Sequence, residues 1–153
     1  MKWSPPIDYI SMVTLPTLRR IGYQASIERV RRGHYPKGGG LVKFSIRGGS
    51  GLDSVKRTSR GAISKIRGLS HANGLPSHIA ERQVKSATKW IEDAELPTPI
   101  IEIEIENTSH LNGTGCGIVL SAETGEMEFL GSDSLGERQT CRRSWRHGWE
   151  DSC

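Results

Sequence analysis

The sequence predicts an α/β (α+β) fold with a mixed sheet, and three observations lead to this class. Isoleucine and glutamate alternate strictly over 101–106, which predicts a strand with isoleucines inward and glutamates on a polar face. Apolar residues recur at helical spacing over 78–94, which predicts an amphipathic helix. Shorter apolar segments predict further strands at 62–68, 117–123 and 126–131. Together these elements predict a small α/β sandwich lobe.

The first 46 residues predict a helix followed by two strands. Ser4, with two prolines after it, marks the helix start, and Pro16 is expected to break or kink the helix. Gly22 is a credible C-terminal cap. Alternating apolar residues predict strands at 23–31 and 41–46.

Between the two predicted regions, 47–61 is rich in glycine, serine and arginine, which is typical of a linker. The stretch SHANGLP (70–76) predicts a loop, and Ser77 is expected to cap the helix over 78–94. Residues 139–153 have no period of either kind and predict an irregular tail.

Composition narrows the class of protein. The chain has 153 residues, of which 35% are hydrophobic, enough for one domain or two small lobes. No apolar run approaches the roughly 18 residues of a membrane span, and the first residues lack the apolar core of a signal peptide. Three scattered cysteines favour a reducing compartment: Cys116, Cys141 and Cys153. We therefore expect a cytoplasmic protein with no membrane partner.

Charge is distributed unevenly along the chain. Residues 1–70 carry 14 Lys/Arg against 3 Asp/Glu, whereas 71–153 carry 7 against 14. One interpretation is a bipolar, solvated surface. The other is a basic face that meets a nucleic acid or nucleotide, with an acidic lobe turned away. Charge alone leaves the two interpretations even.

The segment RRGHYPKGGG (31–40) is the main candidate site. Its cations could neutralise phosphates, and its glycines could let a backbone approach an anion closely. The candidate RNA- or phosphate-binding residues are Arg31, Arg32, Lys37, Gly38, Gly39 and Gly40. The segment lacks Walker spacing, so the spacing alone favours a plain strand-to-strand turn over a phosphate site.

The histidines predict no catalytic or metal site by themselves. His71 falls in the predicted loop and His78 in the first helical turn, where turn chemistry or solvation accounts for both. His110 has only Cys116 nearby as a second candidate ligand, which is too few for zinc. Ser77 beside His78 is not a nucleophile–base pair, because sequence neighbours on a helix do not face each other.

Five segments, taken together, resemble the RNA 3′-terminal phosphate cyclase family. They occur in the family's order, and each alone would be a weak signal. They are WSPPIDY with TLPTLRRIGY, RRGHYPKGGG, ISKIRGLSHANGLPSHIAERQ, GTGCGIVLSAET and LGSDSLGER. The resemblance implies that 1–46 is part of a βαβαββ-type core unit, 47–61 a linker and 62–138 the family's inserted α/β domain.

The resemblance also implies an activity. Complete members use ATP and a divalent metal, Mg²⁺ or Mn²⁺, to convert an RNA 3′-phosphate into a 2′,3′-cyclic phosphate through an adenylylated histidine. None of this chain's histidines matches the segment that holds that nucleophile. We therefore expect a truncated member that lacks the other core units, has no catalytic residue, binds no cofactor and is inactive alone.

Two other functions remain open from the sequence. One is a non-catalytic, cyclase-like factor of ribosomal RNA maturation, which shares the scaffold without the chemistry. The other is a stand-alone α/β interaction module built from 62–138, with the basic segment as a tail. The irregular residues from Gln139 onward suggest translation out of frame, since a shift of one base can turn suitable codons for 139–145 into the family's usual continuation.

Overall fold

The computed structural model describes residues 4–48, 51–56, 58–59, 61–108, 113–125 and 128–136. Helices α1 and α2 cover Ile7–Tyr9 and Leu15–Arg20, with a π-helical turn at Ile10–Thr14 between them, and α3 covers His78–Asp93. The strands are β1 Gln24–Arg31, β2 Leu41–Arg47, β3 Ile63–Asn73, β4 Ile100–Glu106, β5 Gly115–Thr124 and β6 Phe129–Leu135. The predicted tail at 139–153 lies outside the described residues.

The N-terminal helical segment is interrupted where a proline removes a donor. Pro16 has no N–H to offer the carbonyl of Met12, four residues earlier. The π-helical turn lies just before this point, and Ser121 Oγ of β5 donates to the Met12 carbonyl at 3.2 Å. Gly22 ends the segment at φ 88°, where its N–H bonds to Arg19 and the next N–H to Leu18. The predicted break and the glycine cap are confirmed.

Strands β1 and β2 form an antiparallel hairpin that begins and ends close to the predicted positions. Ala25 faces Ile46 and Ile27 faces Phe44, so one face of the hairpin is apolar. On that face Ala25 is buried, whereas Phe44 and Ile46 are exposed. The covering element is the N-terminal helical segment, which lies against β1.

The other four strands form one mixed sheet in the order β4-β3-β5-β6. Strand β4 is parallel to β3, and α3 makes the crossover between them, whereas β5 and β6 pair antiparallel. Helix α3 covers one face, and the N-terminal helical segment covers the other. The predicted α+β class with a mixed sheet is confirmed. Within the described residues, no helix has the length and apolar character that crossing a membrane requires.

The apolar core lies between α3 and the sheet. Ala87 and Ile91 of α3 pack on even-numbered residues of β3 and β5, because alternate side chains of a strand point to the same face. The largest fully buried side chains of this core are Ile66, Ile91, Ile118 and Leu120, each at most 2% exposed. The helical periodicity over 78–94 therefore identified the correct buried face.

Two sequence-based expectations around α3 are wrong. Strand β3 continues through Asn73 instead of ending at 68, so much of the predicted loop is a central strand. Two polar side chains of this stretch are hydrogen-bonded, those of Ser70 and Asn73, and Ser70 Oγ donates to Gln83 Oε1 of α3 at 2.9 Å. Ser77 makes no side-chain cap and has helical dihedral angles itself. Helix α3 begins instead with a backbone bond from Ile79 to Pro76.

Candidate functional site

Polar side chains converge on the sheet face opposite α3. Across the strands, His71 of β3 lies between Glu104 of β4 and Gly117 of β5. One row further, Asn73 lies between Glu106 and Gly115. Residues in the same row point to the same face, so these two rows place carboxylates, a histidine and an asparagine together beside two glycines.

A buried network of ion pairs joins the N-terminal segment to these rows. Arg29 Nη1 donates to Asp8 Oδ1 at 2.7 Å, and its Nη2 donates to both oxygens of Glu104 at 2.7 Å. Arg32 also bonds to Asp8, and its Nη2 donates to Glu104 Oε2 at 2.8 Å. Arg32 Nε lies 3.6 Å from Glu106 Oε1, which is a charge contact too long for a hydrogen bond. The hairpin and β4 are thus held together by charge.

The centre of the network is shielded from water, whereas Arg29 and Glu104 at its outside are 22% and 33% exposed. The side chains of Arg32 and Asp8 are 5% and 8% exposed. Burial by itself lowers the pKa of Arg29, but the hydrogen bonds and charges of Glu104 and Asp8 outweigh it and raise the pKa above its ordinary value. Arginine keeps its charge in such an environment, so the loss of either carboxylate would leave the arginine charges less fully compensated.

Two histidines lie beside the network, with their rings tilted by 33° to each other, against glycines of β5. The rings of His34, which follows β1, and His71 have centroids 5.6 Å apart. A Cβ added at Gly115 would lie 2.3 Å from His34 Nδ1, and one at Gly117 would lie 2.9 Å from His71 Cε1. Side chains are excluded at both positions, because the imidazole rings occupy that space.

Burial disfavours protonation of both histidines. It lowers the pKa of His71 from 6.5 to about 4, opposed in part by the charge of Asp8. It also lowers the pKa of His34, opposed by Glu106. In the described part of the chain, three buried side-chain nitrogens lack a hydrogen-bond partner, and all lie here: Arg32 Nε, His34 Nε2 and His71 Nδ1. At neutral pH both rings are therefore uncharged.

Asn73 fixes the segment that leads into these glycines. Its Nδ2 donates to the Gly113 carbonyl at 2.8 Å, and its Oδ1 accepts from the backbone N–H of Thr108 at 2.9 Å. Gly113 has φ 84°, and a Cβ there would lie 2.7 Å from the His34 carbonyl oxygen. The Asn73 side chain on β3 thus binds both ends of the connection between β4 and β5.

The residues predicted to bind phosphate separate into two groups. Arg31 and Lys37 are exposed. Gly38 and Gly39 have φ 70° and 75°. The Gly38 N–H already donates to the His34 backbone carbonyl, and the Gly39 carbonyl accepts from Arg31 Nε at 2.7 Å. The loop therefore forms an internally bonded turn between β1 and β2, with cations on its outside. Gly40 is exposed beside them.

Arg32 is placed differently from the other candidates. It is 6% exposed, and its guanidinium faces Asp8 and Glu104, so its charge is already neutralised inside the protein. The prediction for this segment stays a prediction, and geometry supports it only for Arg31 and Lys37.

Sequence reasoning missed most of the buried cluster. The glutamates of β4 were expected to face solvent, but Glu104 and Glu106 bind arginines, while Ile103 and Ile105 are 43% and 41% exposed. His71 was expected in a solvated loop but is 4% exposed on β3. The uneven charge of the chain was an available signal, because the basic first part partners the acidic β4.

A cleft of about 710 Å³ lies between the N-terminal helical segment and the sheet. Its charged lining mixes both signs: Arg19, Lys65 and Arg67 with Asp8, Glu102 and Glu123. With three cations and three carboxylates, this lining has no excess of positive charge that would attract a polyphosphate. The fold and the buried cluster define a small α+β domain that holds a basic hairpin against its acidic edge strand.

The comparisons with known proteins identify the family. The model of the insert domain of RNA 3′-terminal phosphate cyclase (RTC) matches residues 58–142. This chain therefore belongs to the RNA 3′-terminal phosphate cyclase family.

Three curated relatives, each called RNA 3′-terminal phosphate cyclase, show how much of such a protein the chain represents. It is 43% identical over 136 residues to the one from Pyrococcus abyssi, covering 89% of this chain and 38% of the relative. It is 43% identical to the relative from Methanopyrus kandleri, covering 90% of this chain and 40% of the relative. It is 46% identical to the relative from Ignicoccus hospitalis, covering 88% of this chain and 38% of the relative. The chain thus spans about two fifths of their length.

The family resemblance implies a divalent metal, and the described residues do not fit one. No group of three or more His, Cys, Asp or Glu side chains in the described ranges has the geometry to hold a metal ion. The carboxylates best placed for it, Asp8 and Glu104, are already neutralised by Arg29 and Arg32.

Proposed function

We propose that this chain supplies part of an RNA 3′-terminal phosphate cyclase, with 62–138 as the inserted domain and 1–46 as part of a core unit. The observation that carries the proposal is the 43% identity over 136 residues to the Pyrococcus abyssi protein of that name. The whole protein would use ATP to close a 2′,3′-cyclic phosphate at an RNA 3′ end. Its place of action would be the cytoplasm.

The role of this part is to position and support, not to perform the covalent step. A nucleophilic histidine must reach ATP, but His71 is 4% exposed and packed against His34 and Gly117. His34 in turn is enclosed by Gly113 and Gly115. We therefore expect neither of these two histidines to accept an adenylyl group.

A region swap tests the cyclase assignment. Residues 4–136 replace the matching part of the Pyrococcus abyssi relative, and the chimera is assayed for cyclisation of an RNA 3′-phosphate with ATP. Cyclisation by the chimera supports the proposal, whereas a folded but inactive chimera speaks against it. The same assay on the unmodified chain, with α-labelled ATP, should give no labelled protein, and labelling would contradict the supporting role.

We also propose that the turn between β1 and β2 binds RNA phosphates through Arg31 and Lys37, beside Gly38, Gly39 and Gly40. The support is that both cations are exposed on an internally bonded turn. Phosphate contacts of this kind fix position without reading sequence.

A salt titration tests this site. Replacing Arg31 and Lys37 with alanine should reduce the salt slope of binding to a short single-stranded RNA by about 1.4, at about 0.7 per phosphate. Arg32 is left unchanged, because its loss would disturb the buried network. The matched control replaces Lys85 and Lys89, which are exposed on α3. An equal loss of slope in both variants would show that only net charge matters.

A further inference from the structure

The turn between β1 and β2 closes around His34. The Gly38 N–H donates to the His34 backbone carbonyl at 2.8 Å, and these two residues form an isolated antiparallel bridge. A Cβ added at Gly33 would lie 2.4 Å from the Gly40 backbone nitrogen, so the two ends of the turn are in close contact. Because the turn is bonded to His34 and closed on itself, a change in the position of His34 should move the whole turn.

The four-stranded sheet holds His34 from the other side. A Cβ added at Gly113 would lie 2.7 Å from the His34 carbonyl oxygen, and one at Gly115 would lie 2.3 Å from Nδ1 of its ring. The ring of His71 on β3 lies next to it, with the two centroids 5.6 Å apart. The backbone and the ring of His34 are thus both packed against the sheet or the segment that enters it.

The ring of His34 acts through packing and not through charge. Burial lowers the pKa of His34, so the ring is uncharged at neutral pH. Within the described residues, its buried Nε2 has no hydrogen-bond partner. Removing the ring at neutral pH therefore leaves the positive charge of the turn unchanged, and any effect on an anionic ligand must come from the position of the turn.

We propose that His34 is a positioning residue for the RNA-phosphate site, and that it holds Arg31 and Lys37 in the orientation that binds phosphates. This inference rests on the RNA site proposed above. A turn that is already fixed has less conformational freedom to lose when RNA binds, so the same two cations bind more tightly in it. The sheet of 62–138 would thus set the affinity of a site that lies outside that region.

Binding of the whole chain to a short single-stranded RNA at neutral pH tests the proposal. His34→Ala should raise Kd about fivefold, because the turn must then be ordered on binding. The salt slope should stay as it is, since Arg31 and Lys37 are both still present. The matched control is His78→Ala, which removes an exposed histidine of α3 and should leave Kd unaltered. An unaltered Kd in His34→Ala would overturn the proposal.

Two further variants separate positioning from a general loss of stability. Ile118→Val destabilises the core on the α3 face, where Ile118 is 1% exposed, and should leave the Kd of the folded protein unaltered. A rise in Kd equal to that of His34→Ala would contradict the positioning role. His34→Asn is the milder change, because its short planar side chain keeps part of the contact with Gly115. Its Kd should lie between those of the unaltered chain and of His34→Ala, and a Kd above both would also speak against the proposal.

Hydrogen exchange reports on the turn without RNA. The Gly38 amide proton is donated to the His34 carbonyl, so it should exchange faster in His34→Ala than in Ile118→Val. Equal exchange in these two variants would overturn the proposal. The double alanine variant of Arg31 and Lys37 distinguishes its failure from that of the RNA site. An unreduced salt slope in the double variant would overturn both, whereas a reduced slope with an unaltered Kd in His34→Ala would overturn the positioning role alone.

Discussion

On one face of the four-stranded sheet, Ile91 of α3 and Ile118 of β5 are at most 1% exposed in a wholly apolar contact. On the other face, the side chains of Arg32 and Asp8 are 5% and 8% exposed, and Arg32 binds the carboxylates of both Asp8 and Glu104 through charge. Apolar contact is non-directional and loses stability in proportion to the atoms removed. The charged contact is directional, depends on every member, and responds to pH. The two faces should therefore fail in different ways.

The largest effect is expected on the apolar face. Ile91→Ala should lower the free energy of unfolding by about 4 kcal/mol, because a 0% exposed side chain is replaced by a cavity. Ile103→Ala is the matched control, since Ile103 is 43% exposed on β4 and should cost under about 1 kcal/mol. Urea unfolding monitored by circular dichroism measures both. Similar losses would show that β4 is buried more deeply than the structure indicates.

On the charged face, Asp8→Ala should cost about 3 kcal/mol, because it leaves Arg32 buried with one fewer carboxylate. The loss should be local: hydrogen exchange should accelerate in β1 and the N-terminal helical segment, while α3 keeps its protection. Asp53→Ala, which removes an exposed carboxylate, is the control. Equal acceleration in α3 would mean that the two faces unfold as one unit.

This contrast also explains what the sequence could predict. The α3 face follows from periodicity, because a helix and alternating strands each show their apolar side in the order of residues. The helix over 78–93 and the strands at 24–31 and 100–106 were predicted to within a residue or two. The charged face depends on which residues meet across more than 70 positions, as Arg29 and Glu104 do, and local patterns carry no such information.

Two particular errors have the same origin. The stretch from Ser70 to Asn73 is polar enough to suggest a loop, yet it belongs to a central strand, in which Ser70 bonds to α3 and Asn73 to the Gly113 segment. The alternation in β4 was recognised, but the choice of inward face was wrong beyond Ile101. An edge strand can direct glutamates toward the protein interior when arginines of another element form ion pairs with them there. Only the three-dimensional position of the hairpin reveals those arginines.

Acid should weaken the charged face through His71. Its pKa is lowered to about 4 in the folded protein, against 6.5 unfolded, so between these values the unfolded chain binds more protons. The contribution of neutral His71 to the free energy of unfolding is therefore fully present above pH 6.5. It is lost as the pH drops toward 4, by up to about 3 kcal/mol. Urea unfolding at several pH values measures this slope.

The slope should shrink in His71→Gln, which cannot take up the proton. His78→Gln should keep it, because His78 is exposed at the start of α3. The pKa of His34 is lowered as well and leaves a residual slope of the same sign in His71→Gln. A His71→Gln protein with the full slope would show that other groups govern the acid response.

The smallest of these effects tests the contact between Gly115 and His34. In Gly115→Ala the new Cβ would lie 2.3 Å from His34 Nδ1, so the imidazole must move and its packing against His71 is lost. Overpacking of this kind costs about 2 kcal/mol. Gly125→Ala is the matched control, since a Cβ there has no heavy atom within 4 Å. The alanine carries no charge, so the loss of stability should depend on pH only if the His34 ring is displaced toward solvent.

In that displaced ring, the pKa of His34 should return toward its ordinary value, which titration of the His34 Cε1 proton by NMR would detect. An unshifted His34 titration in a Gly115→Ala protein of normal stability would mean that the ring does not rest on the glycines at all.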